Sequence, residues 1–159
     1  MKIYFATDHA GFTMKEQLVP FVRDDLGLEV EDLGACELDT SDDYPDFVHK
    51  VAKTVSETQE EVRAIILGGS GQGEAMVANK YIGVRAAVYY GEPQTEQMDI
   101  TRQELGMIVS TRVHNDANIL SLGARFITLE QAKQVIKIWL TTEFANEKRH
   151  KRRINKIDI

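Results

Sequence analysis

KIYFATD (residues 2–8) alternates apolar and polar positions and is rich in β-formers, which predicts a first strand. Asp8, His9, Ala10 and Gly11 follow. Phe12, Lys15, Leu18, Val19 and Val22 then recur at helical spacing before Gly27. LEVEDLG (28–34) predicts a second strand, with Leu28, Val30 and Asp32 on one face and Glu29 and Glu31 on the other. CELDTSDDYP (36–45) is a polar loop ending in Pro45, whose fixed φ suits a first helical turn. Phe47, Val48, Val51, Ala52 and Val55 form the stripe of that helix. Ala64–Leu67 is a short apolar run, read as a buried third strand, and a helix over about 72–79 follows it.

VRAAVYY (84–90) predicts strand four, leading into GEPQTEQMDITRQELG (91–106) and a helix starting near Pro93. IVSTRVHNDAN (108–118) reads as an irregular connection, and ILSLGARFI (119–127) as strand five. Thr128, with Gln131 three residues on, makes a capping box for a helix carrying Val135, Ile138, Trp139 and Leu140. From Phe144 the chain is basic, with Ile154 and Ile157 at i and i+3.

Five strands alternating with helical segments predict an α/β fold, a five-stranded parallel sheet covered on both faces and wound right-handed. The common order 2-1-3-4-5 is expected, with a basic C-terminal helix added. Ligands of such sheets bind beyond the strands' carboxyl ends, at the switch point. In that order the point lies between strands one and three, where Asp8-His9 and a glycine-rich loop end their strands.

Length changes the picture only by making one domain, residues 1–159, the expectation. The composition, 43% hydrophobic and 28% charged, is that of an ordinary globular protein. No run approaches the ~18 apolar residues of a membrane span, and the first ten residues lack the features of a secretory signal. The single cysteine, Cys36, makes no internal disulfide possible, which fits a cytoplasmic protein. It reads as a passive residue after a strand.

Charge is more informative. Lys148–Ile159 holds six of the nineteen Lys and Arg residues and one acid, so the tail carries +5 and the body −11 of the net −6. Such an end could be a solvated helix, a nucleic-acid arm or a clamp for a small anion. No aromatic residue interleaves with its charges, which weakens the nucleic-acid option.

RAIILGGSGQGEAMVANK (63–80) is the most distinctive stretch. A strand runs through Gly68, Gly69, Ser70, Gly71, Gln72 and Gly73 into a helix whose first strong side chain is Glu74. Glycines let backbone N–H groups approach a ligand, and a helix start favours negative charge. A loop built only for phosphate would more often carry Lys or Thr there, so the acid points to chemistry. Glu74 fits a general base, and equally a first-turn acid favoured by the dipole. Ser70 and the loop amides fit an oxyanion cradle, or a tight turn. Asp8 fits a functional strand end or a helix N-cap. His114 fits a general acid or a surface-loop histidine, and Arg125 ends strand five at the same functional edge.

TDHAG (7–11), DDYP (42–45), GGSGQGEAMVANK (68–80), GVRAAV (83–88), HNDAN (114–118), LGAR (122–125) and RHKRRI (149–154) together resemble the B-type ribose-5-phosphate isomerases and the wider family holding the galactose-6-phosphate isomerase subunits. The pieces occur in the family's order over nearly the whole chain. The resemblance implies a Rossmann-like αβα sandwich, no metal or organic cofactor, and a homodimer or larger assembly with shared active sites. It also implies aldose–ketose interconversion through a cis-enediolate. One branch of the family uses a cysteine two residues before the loop's hydroxyl residue; the other uses a glutamate at the loop's end. Gly68 stands at the cysteine position and Glu74 at the glutamate position, so the chain is similar to the glutamate branch.

Carried onto this sequence, the resemblance makes Glu74 the base between C1 and C2. Ser70 and the amides of Gly69, Gly71, Gln72 and Gly73 become donors to the enediolate. His114 becomes the proton donor for ring opening, with Asp8 its counterpart. Asn115 and His9 would hold sugar or phosphate oxygens. Arg125, Arg149 and Arg153, with His150, would bind phosphate, the tail (143–159) reaching the partner subunit. The stretch Glu92–Val113 is longer than the family pattern and adjoins the expected pocket or dimer seam. Ribose 5-phosphate is the leading substrate. The rivals are a six-carbon sugar phosphate such as allose or galactose 6-phosphate, and a non-catalytic sugar-phosphate or nucleotide binding module.

Overall fold

The computed structural model describes residues 1–58, 61–93, 95, 98, 100 and 102–158. Its sheet is built from β1 (Lys2–Thr7), β2 (Glu29–Asp32), β3 (Val62–Gly68), β4 (Ala86–Tyr89) and β5 (Ile119–Gly123), and every pairing is parallel. Side chains alternate across it. Ile3, Phe5, Ile65, Leu67, Leu120 and Leu122 face one core, shared with α1 (Phe12–Pro20) and α5 (Leu129–Thr141). Ala6, Ala64, Ile66 and Ile119 face the other, against α2 (Tyr44–Glu57) and α3 (Gln72–Ala78). Each fully buried aliphatic contributes about 1.5–3 kcal/mol, and the doubly covered strands explain the unbroken apolar runs. The expected αβα sandwich is found.

The strand order is not the expected one. It is β2-β1-β3-β5-β4, so strand five lies between three and four. Burial gives the reason: all five residues of β5 are buried, whereas Ala86, Ala87 and Val88 of β4 are half-buried, as suits an edge. The switch point between β1 and β3 is unaffected. The end of β5, however, now adjoins the glycine loop, where the Ala124 and Arg125 N–H groups donate to the Gly68 and Gly69 carbonyls at 2.9 and 3.1 Å.

Two further expectations change. Residues 108–113, read as part of an irregular connection, belong to helix α4 (Met107–Val113). Its buried side holds Ile108 and Arg112, one turn apart. Arg112 is tolerated there because its guanidinium donates to Thr142 O, Ala117 O and the Asp116 carboxylate. The helix expected near Pro93 does not occur among the described residues of 91–106, which hold an isolated antiparallel bridge between Met98 and Glu104. Gln94, Glu96, Gln97, Asp99 and Thr101 lie outside the described residues.

Other elements follow the pattern. Pro45 sits in the first turn of α2, and Thr128 and Gln131 form the capping box of α5. The basic tail forms α6 (Lys148–Ile154). Pro20 ends α1 in a single π-helical turn, Phe21–Asp25. Buried Lys15 on α1 pairs with Asp32 and donates to Ala35 O at 2.8 Å, pinning the start of the 36–45 loop. Among the described residues no helix is long and apolar enough to cross a membrane.

Candidate active site

At the carboxyl end of β1, Thr7 Oγ1 donates to Leu67 O at 2.9 Å, tying the two strand ends together. Asp8 follows with 6% exposure, and its carboxylate accepts the Ala10 N–H at 2.9 Å. The helix N-cap is Gly11, so Asp8 is not the cap of α1. His9 turns toward the 36–45 loop, where Asp42 Oδ1 lies 3.0 Å from its backbone N and 2.6 Å from its Nδ1. That hydrogen bond is the main reason the His9 imidazole titrates above its usual range; the Asp8 charge adds, while burial and Arg125 oppose. Asp8, His9 and Asp42 offer ligand atoms within 4.8 Å of one another, a spacing that could hold a cation. Here His9 pairs with Asp42 Oδ1, while Asp42 Oδ2 is buried without a hydrogen-bond partner among the described residues.

Beyond β3 the chain turns through Gly71, whose φ of 75° favours glycine, and enters α3. Ser121 Oγ donates to Gly71 O at 2.6 Å and fixes the loop on β5. Ser70 Oγ accepts the Gln72 N–H at 3.3 Å. Glu74, in the first turn, is 4% exposed because its side chain folds back over Gly68. A Cβ at residue 68 would fall inside the Glu74 carboxylate. Burial raises the pKa of Glu74 and the Asp8 charge raises it further, while a hydrogen bond to its own backbone N–H opposes both. A buried carboxylate with a raised pKa is a better proton acceptor than an ordinary one.

Gly68 is therefore a position at which the pose of Glu74 can be tested. Gly68→Ala should leave the fold intact, because the displaced atoms are the far end of one side chain. It should lower kcat by roughly 10²-fold through misplacement of the carboxylate. Melting temperature and steady-state kinetics on one preparation check both halves; wild-type kcat would mean that this pose of Glu74 is not the working one.

Arg125, exposed at the turn after β5, lies against Gly69, with Nη1 3.2 Å from where a Cβ would stand. Tyr44, at the start of α2, packs over Gly73 in the same way, its Oη 2.8 Å from that point. Asp42 and Tyr44 were not singled out as site residues from sequence, although both lie in DDYP. This edge thus gathers Asp8, His9, Gly69, Ser70, Gly71, Gln72, Gly73, Glu74 and Arg125.

The remaining candidates are elsewhere. His114 caps α4 and Asn115 follows it, four residues before β5 begins at Ile119. They sit at the amino edge of the sheet, and five residues of strand separate them from Arg125's edge, about 16 Å. The tail joins them there. The His114 and His150 rings stack with centroids 4.4 Å apart and planes 14° from parallel. Arg149 Nε donates to Glu147 at 2.8 Å, and Arg153, one turn on, is exposed. Arg85 grips the turn, donating to Asn115 O at 2.9 Å and to the Asp116 carboxylate at 3.0 Å. Arg112 binds the other Asp116 oxygen at 2.7 Å, and Asp116 itself has a φ of 46°.

Known proteins carry the same arrangement of elements. A sequence profile described as Ribose/Galactose Isomerase matches residues 3–157. The chain belongs to the ribose/galactose isomerase family. Ribose-5-phosphate isomerase B of Mycolicibacterium paratuberculosis is 33% identical over 156 residues, 98% of this chain and 88% of that protein. The solved structure of the Clostridium thermocellum ribose-5-phosphate isomerase B is 38% identical, with a TM-score of 0.84 over 99% of this chain and 95% of that one. The Mycoplasma genitalium enzyme, solved with bound ribulose-5-phosphate, is 33% identical, with a TM-score of 0.83 and coverage of 98% and 93%. Family membership accounts for the two sets of residues belonging to one kind of chain. It does not by itself bring them within reach of each other.

Proposed function

We propose that this chain interconverts ribose 5-phosphate and ribulose 5-phosphate through a cis-enediolate, in a cytoplasmic homodimer whose sites each draw on both subunits. The observation that carries the reading is the buried Glu74 carboxylate, seated over Gly68 at the mouth of a donor-rich loop. Support for the substrate comes from relatives named for this reaction, one of them solved with ribulose-5-phosphate.

Glu74 takes the C2 proton of the open-chain aldose. The electron pair forms the C1–C2 double bond, and negative charge develops on O1, where the loop amides and Ser70 donate. The O2 hydroxyl proton passes to O1, and the carboxyl returns its own proton to C1 as O2 becomes the carbonyl. Arg125 and His9, whose charged form Asp42 favours, neutralise the phosphate together with Arg149 and Arg153 of a second subunit. His114 of that subunit protonates the ring oxygen as the furanose opens, with Asp8 as its counterpart and Asn115 on a sugar hydroxyl. The separation of about 16 Å along β5 is why these residues are assigned to a second copy. The cytoplasmic assignment rests on the single, unpaired Cys36.

The test is turnover of ribose 5-phosphate, allose 6-phosphate and galactose 6-phosphate in deuterium oxide. Conversion of the ribose ester with solvent deuterium entering C1 of product and C2 of recovered substrate is expected. Preference for a six-carbon ester would correct the substrate. Turnover without any solvent deuterium would replace proton transfer by a hydride shift, and no turnover at all would favour a binding module.

A further inference from the structure

The geometry points to His150 as a positioning residue that holds the His114 imidazole in the orientation needed to open the furanose ring. This rests on the proposed function, in which His114 is the ring-opening acid, and assigns His150 a task other than phosphate binding. The residue lies in the most basic part of the chain, between Arg149 and Lys151, and its neighbours on α6 invite a phosphate role for it. Yet it is 2% exposed within its own subunit, while Lys151, Arg152 and Arg153 are exposed. Helix geometry accounts for the split: Arg149 and Arg153 are one turn apart on one face, and His150 and half-buried Ile154 are one turn apart on the face toward the domain. A side chain so covered cannot reach a phosphate held by the solvent face.

His150 instead meets one functional group. Its ring lies 4.4 Å from that of His114 and 14° from parallel, a flat-on contact that fixes the plane of both rings. Alongside, the Ala145 N–H donates to Val113 O at 3.2 Å, so the segment before α6 is tied to the helix that presents His114. Burial favours the neutral form of His150, and His114, Arg149 and Arg153 act in the same direction; Glu147, whose Oε2 lies 4.0 Å from Nε2, opposes them. A neutral aromatic face can support a charge on the stacked His114, whereas a second cation would expel it. His114 can then gain and lose its proton without changing its plane. The two arginines, the acid and its support would move as one body.

The experiment separates ring opening from enolisation. Ribose 5-phosphate is bound mainly as a furanose, whereas ribulose 5-phosphate has its O5 esterified and stays open. Exchange of its C1 proton with solvent therefore needs Glu74 and the loop but no ring opening. His150→Ala and His150→Phe are compared with wild type for kcat and KM on ribose 5-phosphate, and for C1 exchange into ribulose 5-phosphate in deuterium oxide. Loss of the stack in His150→Ala should lower kcat on the furanose about tenfold or more, with KM and ribulose exchange within about threefold of wild type. His150→Phe, which keeps a flat ring, should recover most of the loss. A raised KM with unchanged kcat in His150→Ala would make His150 a phosphate ligand and overturn the proposal. Equal losses in both variants, or parallel loss of ribulose exchange, would overturn it too. Absence of C1 exchange in the wild-type protein would instead overturn the enediolate reading, a failure distinct from these.

Discussion

Glu74→Gln should lower kcat by about two to four orders of magnitude, the usual share of a general base. The amide keeps the shape of the carboxylate and its place over Gly68 but cannot take a proton. Phosphate contacts are assigned to Arg125, His9 and the tail, so KM should stay within a few-fold. Near-normal turnover would remove Glu74 as the base. The pH dependence has a definite sign. As the proposed base, Glu74 acts when ionised, and burial raises its pKa, so wild-type kcat/KM should fall on acidification through a limb above the ordinary glutamate range. That limb should be absent from the residual activity of the amide. Stability follows the same linkage. A folded-state pKa above the unfolded one gives stability that is complete below the unfolded value and is lost as pH rises through the folded value. At neutral pH the buried charge is therefore a cost, and Glu74→Gln should melt at a higher temperature than wild type. Calorimetry at pH 7 checks this, and a lower melting temperature would contradict it.

Two inactive variants should restore each other. If each site takes Glu74 from one subunit and His114 from the other, Glu74→Gln and His114→Asn homodimers each lack a complete site. Unfolded together in equal amounts and refolded, they should recover about a quarter of wild-type activity, since about half the dimers are mixed and one of their two sites is intact. A monomeric site would recover nothing beyond the sum of the parts. The prediction follows from strand length: β5 is five residues, and His114 and Arg125 stand beyond its opposite ends. No rotamer change in either side chain spans that distance.

Much of this was legible before any coordinates. Strand–helix alternation is a local property, and β1, β3 and the capped α5 carry it plainly. The order of β4 and β5 is not local; it depends on which strand can be buried on both faces, and Ala86–Val88 looks strand-like without saying that it is an edge. Helix α4 escaped because Arg112 counts as polar in a periodicity, whereas its guanidinium is buried on the Thr142 and Ala117 carbonyls and the Asp116 carboxylate. In the site, Glu74 and the glycines announced themselves through spacing. Asp42 did not. It is one of four acids in the 36–45 loop, and only a contact 33 residues away in sequence distinguishes it. His150 is ambiguous in sequence for a related reason: its sequence neighbours are cationic, while a spatial neighbour is an imidazole.

The space above residue 68 has a consequence for how such sites change over generations. The side chain of a cysteine there and the carboxylate of Glu74 as seated here claim the same volume. A lineage passing between the two kinds of base cannot hold both at once in this pose. On the proposed function, adding the thiol first unseats the carboxylate that serves as base, and removing the carboxylate first leaves a glycine with nothing to take a proton. Each single step thus crosses a poorly active ancestor, so the choice of base would be inherited far more often than exchanged.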